Sequence, residues 1–226
     1  VLNISGGITP AAGVCVVTQY PVSVTVPSYV GLNAGTVNAS GPIGTQNMPA
    51  VTGVTGQYNV AFIPNPLIPP TPGIVTDGTL LTAGTYTISG TGGTDVGPFS
   101  VSLNFPASLD WTNRASINTV NRSQPLTVTW TGGRPEALVY VHGRSGVSAS
   151  VGADFYCYVN PTAGTFTVPA AVLSALPPSY VSGPNPTGIL DVYQYFLTGT
   201  PFTANGIDVG YATWADGILK GRITCQ

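Results

Sequence analysis

Residues 123–143 read SQPLTVTWTGGRPEALVYVHG. Leu126, Val128 and Trp130 alternate with Thr127, Thr129 and Thr131, and that spacing puts every second side chain on one side of an extended strand. Gly132, Gly133 and Pro135 break the run, and Leu138, Val139 and Val141 resume it up to Gly143. The pattern predicts a β-hairpin turning at the glycine pair. Two strands are marginal alone in water, so others must cover them.

The rest of the chain supplies candidates. Strand character appears at Val14 to Val17, at Val22, Val24 and Val26, and at Tyr58, Val60 and Phe62. It returns over residues 79–89, 97–105, 154–159, 164–168, 188–197, 207–214 and 218–225, mostly with turn residues between. The prolines of residues 64–73 exclude both a helix and a central strand there. Only one segment looks helical, PAAVLSALPP, a turn or two bounded by Pro169 and Pro177. Short strands at this spacing predict an all-β fold of two tandem Greek-key β-sandwich domains. The expected division gives an extended N-terminal arm over residues 1–12, one sandwich over residues 13–118 and a second over residues 119–226.

Composition narrows the function. Charged residues make up 6% of the 226, against about a quarter in ordinary domains, while 43% are hydrophobic, so the chain folds but solvates its surface with Thr, Ser, Asn and Gln. A net charge of −2 carried by scattered residues offers no electrostatic footprint for nucleic acid. No apolar run approaches the ~18 residues of a membrane-spanning helix. Titratable side chains for acid, base or metal work are few, which argues against an enzyme, and no cofactor or metal site is expected. His142 is the single histidine. Ser145 and Asp154 lie near it in sequence, but VHGRSG lacks the nucleophile-elbow order, and a hydrogen-bonded structural histidine is the expectation. Asp77, Asp95, Asp154, Asp208 and Asp216 sit near turns without forming a calcium loop.

Three cysteines, Cys15, Cys157 and Cys225, lack zinc-site spacing. A disulfide between Cys157 and Cys225 inside the second domain is the first expectation, with Cys15 to Cys157 across domains as the alternative and three buried thiols as a third possibility. Two aromatic pairs, Tyr156 with Tyr158 and Tyr193 with Tyr195, alternate along their strands and are candidates for a glycan platform, although such pairs are more often cross-strand core or rim packing than a ligand site. Val1, Leu2, Ile4 and Ile8 of the arm are candidate subunit contacts.

The stretches GTYTISGTGGTDVGPFSVSLNFPASLDWTN, RSQPLTVTWTGG, ADFYCYVNPTAGTFTVPAAVLSALP and GIDVGYAT together resemble an arrangement found in uncharacterised secreted proteins of acidobacteria. The resemblance covers about four fifths of the chain, and WADGILKGRITCQ departs from it. It implies an extracellular, immunoglobulin-like β architecture and carries over no catalytic residue. A chain beginning at Val1 fits a mature product after removal of a targeting segment. The expected function is a non-enzymatic surface subunit that associates with copies of itself into a filament by strand addition of its arm. A surface adhesin or carbohydrate-binding module is the alternative.

Overall fold

The computed structural model describes residues 11–20, 30–42, 44–59, 61–62, 74–75, 82–105, 107–148, 150–182, 185–196 and 199–226. The arm contacts Val1, Leu2, Ile4 and Ile8, the valines 22, 24 and 26, the proline-rich run and Asp77 lie outside them.

The fold is all-β, with several sheets, none closed into a barrel. The one α-helix among the described residues is Ala170–Leu173, entered at Pro169 as its flanking prolines predict. Contacts divide the chain into two compact units that are not consecutive in sequence. The first lies within Val1–Val24, Leu109–Leu197 and Ala215–Gln226, the second within Thr25–Ser108 and Thr198–Trp214. The boundary after Ser108 falls close to the expected division, but contacts place residues 15–20 and 109–118 with the C-terminal half and residues 198–214 with the N-terminal half. Pairing explains both exchanges. Strand Cys15–Tyr20 is bonded to strand Gly152–Val159, whereas Phe202 and Trp214 pack their rings on Phe99 and Phe105, each with centroids 5.1 Å apart.

The first unit holds a six-stranded sheet in the order Cys15–Tyr20, Gly152–Val159, Ala137–Gly146, Gly188–Phe196, Ala215–Cys225, Thr119–Val120. Its pairs are antiparallel except the last. A three-stranded sheet, Thr165–Val168, Leu126–Thr131, Asp110–Trp111, supplies the other side of one sandwich-like core. Trp111, Val128, Trp130 and Val168 meet Val139, Val141, Phe155, Val192 and the helical Leu173 there, all buried. Trp130 spends its indole N–H on the Pro161 carbonyl at 2.8 Å, so the buried ring leaves no donor unmet.

The expected hairpin is absent. Leu126–Thr131 pairs with Thr165–Val168 and Asp110–Trp111, while Ala137–Gly146 pairs with Gly152–Val159 and Gly188–Phe196. The alternation was read correctly, since Val128 and Trp130 are buried, but the two strands lie in different sheets whose apolar faces share one core. The Gly-Gly-Arg-Pro-Glu connection therefore steps between sheets, with Glu136 held by Arg134 at 2.7 Å within the turn.

The second unit contains a four-stranded sheet, Gly44–Met48, Val37–Gly41, Gly84–Gly90, Phe99–Phe105, and the short pair Thr200–Phe202 with Gly210–Ala212. Among its described residues, Ala34, Val37 and Val96 form a buried cluster with Met48, Tyr58, Ile88 and Phe99 against it, and Tyr86, Val101 and Phe105 are buried as well. Asp95 accepts from the Asn33 backbone N–H at 2.7 Å, a turn-closing role and not a metal ligand's.

Candidate functional site: the polar face and the open edge of the six-stranded sheet

Period-two alternation gives the Ala137–Gly146 strand two characters. Ala137, Val139, Val141, Gly143 and Ser145 are buried, whereas Tyr140, His142 and Arg144 stand on the face turned from the core. Register then decides their neighbours. Tyr140 lies between Tyr158 and Tyr193, His142 between Tyr156 and Asp191, and Arg144 opposite Asp154. Gly143 has a packing reason: a Cβ there would come within 2.2 Å of the Phe155 ring, which fills the space on the core side.

His142 is clamped at both nitrogens. Its Nδ1 lies 2.9 Å from Asp191 Oδ2 and its Nε2 lies 3.2 Å from Asp154 Oδ1, while its ring stacks on Tyr156 with centroids 4.5 Å apart. Burial pulls the imidazole pKa down, but the hydrogen bonds to Asp154 and Asp191, together with their charge, outweigh it and leave the pKa above its ordinary value. Because carboxylates only accept, the protonated ring is the form that satisfies both contacts, donating from each nitrogen to a flanking strand. Asp191 Oδ1 is buried and has no hydrogen-bond partner among the described residues.

Such a clamp has little catalytic use. With both nitrogens committed, neither is free as a general base. Ser145, three residues on, points to the opposite face, where its Oγ meets Ser179 Oγ at 3.2 Å. A Ser145–His142–Asp154 triad is thus not assembled, although His142 and Asp154 do touch. The two carboxylates bond opposite sides of one ring and share no common point, and no metal-holding group of three or more His, Cys, Asp or Glu occurs among the described residues. The physical role is a charged strut across three strands.

The tyrosines are brought together, though not as open platforms. Tyr193 stacks on Tyr140 with centroids 5.1 Å apart and planes 18° from parallel, and Tyr156 spends one ring face on His142. Tyr158 is buried, and the side chain of Tyr195 lies outside the described residues. Burial raises the phenol pKa of Tyr156, Tyr158 and Tyr193, so all three stay neutral at physiological pH. Tyr193→Ala is expected to cost roughly 1–2 kcal/mol in urea unfolding, the worth of an aromatic pair with its buried area.

Sequence reasoning missed Asp191, Tyr140, Arg144 and Tyr20. Tyr140 and Arg144 were legible in principle, because they share the parity of His142 within one strand. Asp191, 49 residues from His142, and Tyr20 carry no such signal. Tyr20 lies beneath the Arg144 guanidinium, whose carbon is 4.6 Å from the ring centroid.

The sheet's edge strand is Cys15–Tyr20. Cys15 faces Cys157 in register, and the two form a disulfide. This corrects the first expectation, Cys157 with Cys225, and realises the alternative within one unit instead of across two. Cys225 is a buried thiol; Cys225 N–H donates to Ser179 Oγ at 2.8 Å, and burial raises the thiol pKa. Val14, Val16 and Val17 are exposed at this edge. Compared with protein-family models, curated proteins and solved structures, the chain matches none.

Proposed function

We propose that the chain is a non-enzymatic extracellular structural subunit that assembles with copies of itself by strand addition, the N-terminal arm of one copy joining a sheet edge of the next. The observation that carries this reading is the edge strand Cys15–Tyr20. Among the described residues its outer side is unpaired; it contains no charge and no proline, and it displays exposed valines. Edges that must stay solitary are guarded by lysine, proline or a bulge, and this one has none of them. A disulfide in the same strand suits an oxidising environment, and the resemblance to secreted acidobacterial proteins points the same way. The finer architecture proposed is two Greek-key, immunoglobulin-like sandwiches.

The test is assembly. Full-length protein is expected to form filaments visible by electron microscopy, whereas removal of residues 1–12, or Val17→Lys at the edge, leaves folded monomer by sedimentation and circular dichroism. A full-length chain that stays monomeric at high concentration would refute the reading. The second reading, a carbohydrate-binding surface module, is favoured by a cleft of about 200 Å³ lined by Tyr20, Arg144, Ser148, Tyr180 and Thr187. An aromatic face beside a guanidinium suits an acidic sugar. Glycan-array binding lost in Tyr20→Ala would favour it.

A further inference from the structure

We infer that the first unit takes an oligosaccharide with an acid group on more than one of its sugars, laid across two adjoining clefts with one arginine in each. The inference rests on the carbohydrate-binding reading and adds to it a second cleft, a second cation and the length of the ligand.

Beside the cleft already described lies another of about 400 Å³, whose lining includes Gln19, Tyr20, Arg122, Gly152 and Ser174. Tyr20 belongs to both linings, so its side chain stands between the two. Register makes room for it. Gly146 in the smaller cleft faces Gly152 in the larger across the paired strands, and a Cβ on them would come within 2.8 Å and 2.2 Å of the tyrosine hydroxyl oxygen. That hydroxyl donates to the Ser145 carbonyl at 3.4 Å, which seats the ring over the glycine notch.

Charge sets these clefts apart. The chain holds eight acidic residues against six lysines and arginines, yet among the described residues neither lining contains a carboxylate and each contains a guanidinium. Both guanidiniums have donors to spare. Among the described residues Arg144 hydrogen-bonds only through Nε, to the Tyr20 hydroxyl at 3.4 Å with Asp154 at 3.7 Å, and Asp154 is itself bonded to His142 at 3.2 Å. The half-buried Arg122 gives Nη1 to the Leu176 carbonyl at 2.8 Å; among the described residues it meets no carboxylate, and its Nη2 has no partner.

A guanidinium without a counter-charge is a planar fork of donors that matches a carboxylate. Two such forks on either side of one aromatic side chain suit consecutive uronic acid units, with a carboxylate for each arginine, sugar C–H groups against Tyr20, and ring hydroxyls within the reach of Ser148, Thr187 and Ser174. A single acidic sugar fills only one cleft. Once the first unit of a longer chain is bound, the second contact becomes intramolecular, so affinity grows with length until both clefts are occupied.

The test is calorimetric titration of the full-length protein with a galacturonate disaccharide, a galacturonate hexasaccharide and cellohexaose as the neutral counterpart. The acidic hexasaccharide is expected to bind roughly tenfold tighter than the disaccharide, to weaken with added salt and to outbind cellohexaose. Arg122→Gln should bring it down to the affinity of the disaccharide, whereas Arg122→Lys, which keeps the charge, retains part of the gain. Circular dichroism shows whether each variant is folded, and the comparison of lengths needs no variant. Equal affinity for the two lengths, or a hexasaccharide indifferent to a folded Arg122→Gln protein, overturns the inference; disaccharide binding that is lost in Tyr20→Ala then leaves the one-cleft reading standing. Cellohexaose bound as tightly as the acidic oligomer overturns it as well. If neither galacturonate oligomer binds, the inference and the reading under it fall together.

Discussion

Replacing Cys15 and Cys157 together with alanine is expected to lower the unfolding free energy of the first unit by roughly 2–5 kcal/mol. The bond joins residues 142 apart in sequence, and closing so long a loop removes much chain entropy from the unfolded state, on the order of 5 kcal/mol in the simplest treatment. The strand adds no fully buried side chain to the core, since Val16 to Gln19 are exposed and Cys15 and Tyr20 only half-buried. Alanine is the right replacement, since Cys157 is fully buried and a serine hydroxyl there would add a desolvation cost of its own. The measurement is urea or thermal unfolding of monomer, where a loss of this size lowers the midpoint by about 10 °C. The first turns of structure lost should be the edge strand, visible as fast amide exchange over residues 15–20 while the Ala137–Gly146 amides stay protected. Equal midpoints for the double variant and the parent would show that the bond constrains nothing.

His142→Ala is expected to cost roughly 3 kcal/mol, because it leaves the buried Asp191 without its cation, while Asp154 keeps only Arg144 at 3.7 Å. Asp191 is buried and cannot recover its hydration by turning outward. The cost should shrink in an Asp191→Asn background, where the stranded charge is gone, and a double-mutant cycle would give the coupling. The same clamp sets a pH dependence. The folded-state pKa of His142 lies above its value in the unfolded chain, so the folded form holds a proton that the unfolded form releases. Its stabilisation is complete below pH ~6.5, the unfolded value, and fades as pH rises through the raised folded value. Urea midpoints of the parent should therefore fall between pH 6 and the alkaline end of that window, while those of His142→Gln stay flatter. A parent midpoint that rises with pH over this range would contradict the imidazolium assignment.

Each of these effects depends on residues whose meaning was unequally visible along the chain. Alternation at Leu126 to Thr131 and at Leu138 to Val141 sufficed for two strands with one apolar face each, because the two-residue period is a property of the local backbone. Pro169 likewise marked the start of the short helix Ala170–Leu173, although the helix ends at Ser174, well before the Pro177 that the sequence offered as its other bound. Low charge with scattered charged residues offers no basic footprint of the kind nucleic-acid binding uses, an expectation that comes from composition alone.

Which strand lies beside which was decided only in three dimensions. Periodicity says which side of a strand is apolar and is silent about its neighbour. The residues between Thr131 and Ala137 can turn back into a hairpin or span the ~10 Å to a facing sheet, and here they span it, because both apolar faces are then buried in one core. The disulfide followed from the same choice: nothing in the spacing of the three cysteines favours Cys15 for Cys157, but placing the N-terminal strand at the edge puts them directly opposite. His142 acquired its two carboxylates in the same way. Asp154 and Asp191 sit on strands to either side of it, and only the register of those strands, set by the burial of Val141, Cys157 and Val192 on the opposite face, brings two scattered carboxylates of a nearly uncharged chain onto the two sides of one ring.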